Sequence, residues 1–382
     1  MDLGFTQAGF KGVRSFDNDK DSLLSLKKNL KTNVANIDLS VWDEDVSDVV
    51  ASSEVLIAGP PCQGFSTAGK NNPNDVRNDH LSNVAHIAAK AKPKIVLIEN
   101  VKGVLSPKNA NHLDRTRSIL EQAGYKVSID THDSSEHGVA QSRKRVFILA
   151  TMSSQVFSIN MKCEERVCLS DVLQHREIQE NEGKKFLSTS SDEFKIAKRI
   201  LPGHKLSNVR RSPLSVHTWD IPEVFGAVSK QEISLLETIV KLRRQKRRRA
   251  NGDADPVQVE YLSQLFGTDV IHLLNSLVNR GYLRWIDKHI DITNTFNGKF
   301  KRLKWDDISP TVHTRFGQPR YFLHPDEHRG FTTREAARIQ SFPDSYQFHG
   351  SEVSKFRMIG NAVPPKLGKA VANEVKRIWS LI

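Results

Sequence analysis

Cysteine is scarce: Cys62, Cys163 and Cys168 are the only three in 382 residues. That rules out a disulfide scaffold, and Cys163 and Cys168 have no second pair to complete a zinc site, so no metal is expected. Long apolar runs are missing too. Nothing approaches the ~18 consecutive apolar residues of a membrane span, and the start lacks the basic-then-apolar pattern of a secretion signal. No internal repeat or low-complexity tract is evident. With 38% hydrophobic and 26% charged residues, the chain reads as soluble and globular rather than disordered. A cytoplasmic protein with no membrane partner is the expectation, long enough for one large domain or two ordinary ones. Acid is the charge in short supply: 56 Lys and Arg face 44 Asp and Glu, a net +12 that suits a polyanionic partner.

What is present falls into two kinds of text. Over the first 150 residues, compact β-branched runs alternate with helical spacing. Val55-Leu56-Ile57-Ala58, Ile95-Val96-Leu97-Ile98 and Val146-Phe147-Ile148-Leu149-Ala150 read as buried parallel strands. Asn83 to Lys90 and Leu113 to Ala123 read as helices between them. The alternation predicts an α/β fold, an open sheet with helices on both faces. Ligands of such sheets lie beyond the carboxyl ends of the strands. The Pro60-Cys62 turn and the Glu99-Asn100-Val101 turn each follow a strand, so both should point into one cleft.

From about 155 to 300 the pattern changes. Ser229 and Glu232 form a capping-box pair that predicts a helix with Ile233, Leu236 and Val240 on one face. This helix runs into the densest positive stretch, Lys241 to Arg249, which includes Arg243, Arg244, Arg247 and Arg248. A solvated helix face, a nuclear-import signal and a DNA-binding surface all fit that stretch. Two short amphipathic helices follow, with Val259, Leu262, Leu265 and Phe266 on one and Ile271, Leu274, Leu277 and Val278 on the other. Gly267-Thr268 joins them, and the strand-like segments Gly281 to Ile286 and His289 to Ile292 come next. Helix, turn, helix and a strand pair resemble a winged helix, a module that enters DNA grooves. Beyond about 305, Thr333 to Ile339 reads as a helix stopped by Phe342-Pro343. Gly360-Asn361-Ala362-Val363-Pro364-Pro365 leads into a final helix with Leu367, Val371 and Val375 on one side.

Cys62 sits in a Pro-Pro-Cys-Gln-Gly loop in which prolines fix the backbone and glycine permits close approach of a ligand. A thiol held rigidly beyond a strand end suits a nucleophile if positive neighbours stabilise its thiolate. Arg143 and Arg145 are candidates for that charge. Glu99, in an apolar run, is expected to have a raised pKa if partly buried, which fits proton donation at neutral pH. Each has a plainer alternative: a buried small thiol, surface charge, a helix cap.

The ordered series Pro-Pro-Cys-Gln, Glu-Asn-Val, Gln-x-Arg-x-Arg, Arg-Glu-Ala-Ala-Arg-Ile-Gln-Ser-Phe-Pro and Gly-Asn-Ala-Val-Pro-Pro resembles the DNA (cytosine-5) methyltransferases, of the bacterial restriction-modification or orphan type. The resemblance implies a Rossmann-like methyltransferase sheet over residues 1–155, a smaller target-recognition domain over 156–304 that holds the winged-helix-like element, and a return to the catalytic domain over 305–382. It implies S-adenosylmethionine as cofactor and double-stranded DNA as partner, with a cognate restriction endonuclease acting on the same site; a monomer is expected. Cys62, Glu99, Arg143 and Arg145 would be catalytic. Phe5, Asp17, Asn18, Asp38, Pro61, Leu81 and Asn361 would surround the cofactor, with His80 competing for the place of Leu81. Gln63 and Ser66, on a loop running to about Arg77, would close over DNA, and Arg243, Arg244, Arg247 and Arg248 would bind it. Family members start with a strand and a Phe-x-Gly-x-Gly-Gly loop, whereas Met1 to Phe5 match the helix that follows, as an internal start or a fragment would. Two other readings stay open: a tRNA cytosine-5 methyltransferase, and a DNA-binding relative with impaired catalysis.

Overall fold

The computed structural model describes every residue except 43, 62–78, 175–182, 210–211, 250–253, 268–269 and 294–295. Two compact units emerge. The first comprises 1–178, 306–314 and 333–382, the second 179–305 and 315–332. The boundaries read from sequence, 156 and 304, therefore shift. Ile159 packs with Phe147 and Leu149, and the Leu169 N–H donates to Asp307 O, which ties 156–178 to the first unit. Phe316 packs on Phe322 and Phe331, which ties 315–332 to the second.

In the first unit the chain runs α1 (Asp2–Gln7), β1 (Ser15–Asp17), α2 (Lys20–Leu30), β2 (Val34–Asn36), α3 (Glu44–Ala51), β3 (Val55–Ala58), α4 (His80–Ala91), β4 (Ile95–Val101), α5 (Ala110–Gln122), β5 (Lys126–Asp133), β6 (Lys144–Thr151) and α6 (Leu169–Leu173). β1 and β2 pair in parallel, and a separate sheet has the order β3-β4-β6-β5. Strand alternation sorts its core. Val96, Ile98, Val146 and Ile148 face Leu81 and Val84 of α4 and Leu120 of α5. Ile95, Leu97, Phe147 and Leu149 face the opposite way, toward Phe5 of α1 and the final helix. Helices thus cover both faces.

Two expectations about this sheet change. The Val146–Ala150 run lies in an antiparallel strand, because β5 and β6 form a hairpin that then pairs with β4. A strand buried on both faces reads as an apolar run whichever way it points. β5 escapes a sequence reading because it is a half-polar edge strand. Glu99, Asn100 and Val101 are likewise the last residues of β4 rather than a turn, held by pairing with Phe147, Val146 and Arg145.

The second unit contains α7 (Asp192–Arg199), β7 (Lys205–Ser207), β8 (Ser215–Val216), α8 (Pro222–Phe225), α9 (Lys230–Gln245), β9 (Val257–Gln258), α10 (Val259–Phe266), α11 (Val270–Asn279), β10 (Leu283–Ile286), β11 (His289–Ile292), β12 (Asn297–Lys299), β13 (Lys301–Arg302) and β14 (Phe322–Leu323). The Ser229–Glu232 capping box starts α9, and both of its hydrogen bonds are present. α9, β9, α10, α11, β10 and β11 form three helices and a three-stranded antiparallel sheet in winged-helix order. Leu236, Leu262, Leu274, Leu277 and Ile290 fill its core. Leu265 and Ile271, expected on the apolar faces, are exposed instead. The chain re-enters the first unit and ends with α12 (Thr333–Ile339), α13 (Glu352–Asn361) and α14 (Pro365–Trp379). Gly4 lets α1 pack directly on α14: a Cβ there would lie 2.5 Å from the Gly368 carbonyl carbon.

Candidate active site

Glu99 and Arg145 meet because their strands are adjacent. Arg145 is opposite Val101, and Glu99 lies two residues back on the same face of β4. The Arg145 Nε is 2.7 Å from Glu99 Oε1, and the side chains are only 10% and 11% exposed. The carboxylate expected in apolar surroundings therefore has a guanidinium as its direct partner. β3 runs parallel to β4 with Ala58 opposite Ile98, so the main chain leaves β3 at Gly59 beside Glu99. A Cβ built on Gly59 would lie 3.5 Å from Glu99 Oε2. Pro60 and Pro61 follow, and Pro61 is exposed. Cys62, Gln63, Ser66 and Arg77 lie outside the described residues.

Arg143 has a different position from the one expected. It is 1% exposed, and its guanidinium donates to Val312 O at 3.0 Å and Gly360 O at 2.9 Å. Such a group holds main chain in place through both of its terminal nitrogens. Sequence reasoning also gave no role to the neighbouring Gln141. Its amide accepts from the Val312 N–H at 2.8 Å and donates to Gln340, which donates in turn to Ile359 O. Gly360 fits here because a Cβ would lie 2.6 Å from the His313 carbonyl carbon and the Thr314 nitrogen. Polar residues between apolar runs were the available signal; the partners are too distant in sequence to infer.

The expected cofactor residues divide. Asp17 ends β1 and Asp38 follows β2, so two carboxylates lie at the carboxyl ends of adjacent parallel strands. Burial pushes the Asp17 carboxyl up, although it accepts the Asp19 N–H at 2.8 Å. The exposed Asp38 accepts the Ser40 N–H at 2.8 Å; that bond, the Ser40 hydroxyl and His80 hold it low. Asn18 and Asn361 are exposed. Phe5 (4% exposed) and Leu81 (1%) instead have their side chains in the core, because each lies on the inward face of its helix. His80 is half-buried and electrostatically linked to Asp38.

Of the basic stretch, Arg243 is buried and ion-paired to Asp291 at 2.7 Å, which removes it from a DNA-facing surface. Arg244, Arg247 and Arg248 are exposed. Among the described residues no group of His, Cys, Asp and Glu could hold a metal, and no helix is long and apolar enough to cross a membrane.

A family model for C-5 cytosine-specific DNA methylases matches residues 1–377. The chain belongs to that family. It is accordingly an enzyme whose chemistry is methylation of DNA cytosine at carbon 5. Its relatives include the type II methyltransferase M.AgeI of Thalassovita gelatinovora, 28% identical over 98% of this chain and 96% of that protein. The type II methyltransferase M.BanI of Aneurinibacillus aneurinilyticus is 27% identical over 98% and 93%. Among solved structures, a prophage-encoded DNA modification methyltransferase of E. coli shares the fold at a TM-score of 0.57 and 20% identity, over 99% of this chain and 95% of that one. A methyltransferase of Entamoeba histolytica does so at 0.53 and 12%, over 97% and 99%.

Proposed function

We propose that this methylase takes its methyl group from S-adenosylmethionine and acts on one specific duplex DNA sequence, through a covalent Cys62 adduct on a flipped-out cytosine. One observation carries the reading: the buried Glu99–Arg145 pair lies beside Gly59, where the chain sets out toward Cys62. Carbon 5 of cytosine is a poor nucleophile. The Cys62 thiolate adds to carbon 6, and the electron pair of the 5,6 double bond moves onto carbon 5, with charge spread toward the ring nitrogen and carbonyl. Glu99 delivers a proton to ring nitrogen 3 and Arg145 holds the base carbonyl, where that charge develops. Arg143, Gln141 and Gln340 position the main chain around them. When bound, S-adenosylmethionine supplies the electrophilic methyl group. Loss of the carbon 5 proton to water, with return of the nitrogen 3 proton to Glu99, then re-forms the double bond and expels the thiolate. A stacked base cannot reach such a site, so it must flip; Gln63 and Ser66 are assigned to the loop that closes over it.

The residues present suit the cofactor. Asp17 and Asp38 offer acceptors for ribose hydroxyls and an adenine amino group at the strand ends where ligands of open sheets bind. Asn18, Pro61 and Asn361 remain candidates around them. The second unit selects the target sequence, with Arg244, Arg247 and Arg248 as DNA contacts. Naming of relatives as type II enzymes supports a bacterial cytoplasmic setting with a cognate endonuclease.

The test is transfer from labelled cofactor to duplex DNA and to tRNA. Duplex labelling that Cys62→Ser abolishes while DNA binding persists is expected, together with trapping on 5-fluorocytosine DNA by the unaltered chain alone. An adduct that survives in the serine variant refutes the nucleophile; labelling of tRNA alone refutes the substrate.

A further inference from the structure

The winged-helix element has its charge in an unexpected place. α11 is the second helix of the helix-turn-helix pair, the one such modules insert into the major groove. Yet it contains no Lys, Arg, Asp or Glu. Its outward positions include Ile271, His272 and Asn275, and the Asn275 side-chain oxygen accepts from the Trp285 indole at 3.1 Å. A face without cations has nothing to neutralise the phosphates that flank a groove.

The cations collect on the other side. Strand register sets Leu283, Ile290 and Val257 toward the core, with the exposed Trp285 on the same face, and Arg284, Asp291, His289 and Gln258 on the opposite, outer face of the sheet. Lys241 to Arg249 contains seven basic residues and no acid. Asp255 folds the end of that stretch back, accepting the N–H groups of Arg248 at 2.6 Å and Arg249 at 2.9 Å. The Arg248 guanidinium then reaches His289 Nε2 at 3.2 Å, on the outer face. Lys288 stands exposed in the β10–β11 turn, and the Arg284 side chain is 58% exposed. Of the carboxylates here, Asp291 is 7% exposed and neutralised by Arg243 and Arg284, Asp255 is paired with Arg249, and Asp287 stands exposed beside Lys288, so the cations still outnumber the unpaired acids.

We propose that this outer face, formed by the β10–β11 wing and residues 246–249, holds the phosphate backbone of duplex DNA, and that α11 does not enter the groove. The inference rests on the reading of the second unit as the DNA-selecting one.

The experiment measures affinity of the full chain for a duplex of about 30 base pairs between about 50 and 200 mM salt, with methyl transfer followed in parallel. Arg247→Ala/Arg248→Ala/Lys288→Ala should weaken binding at least ~10-fold and lower the slope of log K against log salt by about 2 to 3. Arg247→Lys/Arg248→Lys, which keeps the charge, should retain the slope and so separate charge from folding. His272→Glu adds an acid to the first turn of α11, where the helix dipole tolerates it, and should change affinity less than ~2-fold. An unchanged slope in the triple variant, or a ~10-fold loss in His272→Glu, overturns the proposal. So does an unaltered chain that does not bind duplex. Wild-type binding with the expected slopes but no methyl transfer supports this surface and removes only the catalytic reading.

Discussion

Two buried arginine–carboxylate pairs, one in each unit, share a geometry and differ in meaning. Arg145 Nε is 2.7 Å from Glu99, and Arg243 Nε is 2.7 Å from Asp291, with all four side chains about a tenth exposed or less. Their surroundings separate them. Glu99 lies near a strand end with the main chain of Gly59 beside it, where a loop departs. Asp291 alternates with Ile290 and Ile292 of the winged-helix core, so its side chain is on the opposite face of the sheet, where it has a second arginine, Arg284. A pair at a strand end, beside a departing chain, can present its charge to a ligand; a pair already closed by a second arginine can only hold its own domain together.

The sharpest way to break this comparison is to remove each carboxylate charge. Asp291→Asn leaves Arg243 buried without its counter-ion, a loss of about 3–5 kcal/mol. Urea unfolding should show that fall, with methyl transfer per folded molecule nearly unchanged; an unmoved midpoint would mean the pair is not structural. Glu99→Gln should act in the opposite sense. Its turnover should drop by about 10²–10³, roughly 3–4 kcal/mol of transition-state stabilisation, with a smaller change in the unfolding midpoint. Equal stability losses in both variants, with turnover kept in Glu99→Gln, would merge the two pairs into one structural class.

Local chemistry was legible in the sequence and distant geometry was not. The Ser229–Glu232 box, the stop at Phe342-Pro343 and the apolar stripe of α14 are fixed within a few residues, and each matches the structure. Arg143 and Arg145 look alike in Gln-x-Arg-x-Arg, yet the partners of Arg143 are 169 and 217 residues away. Phe5 and Leu81 occupy motif positions, but which way a helix turns them depends on the sheet beneath. Gly360 belongs to the same hidden lattice. Gly360→Ala would drive a Cβ to 2.6 Å from the backbone at 313 and 314, at a cost of about 1–3 kcal/mol. A loss well below that, read by thermal unfolding, would show that the 311–314 segment yields.

The smallest effect tests the cofactor end of the same unit. Burial raises the Asp17 carboxyl above its ordinary range, so ionising it is harder in the folded chain than in the unfolded one. The folded state therefore binds that proton more tightly, and the favourable contribution present at low pH is lost as pH rises through the folded pKa. Structural carboxylates paired to arginine, such as Glu223 beside Arg199, run the other way. Asp17→Asn keeps an acceptor for the Asp19 N–H and abolishes the charge. Its thermal midpoint without cofactor should exceed that of the unaltered chain at neutral pH, and the two should converge once the pH falls below the ordinary carboxylate range. The same variant should bind cofactor more weakly, since an acceptor for ribose hydroxyls has lost its charge. A variant less stable at neutral pH would show that Asp17 holds the strand end together, as Asp291 holds its domain, rather than being kept there for a ligand.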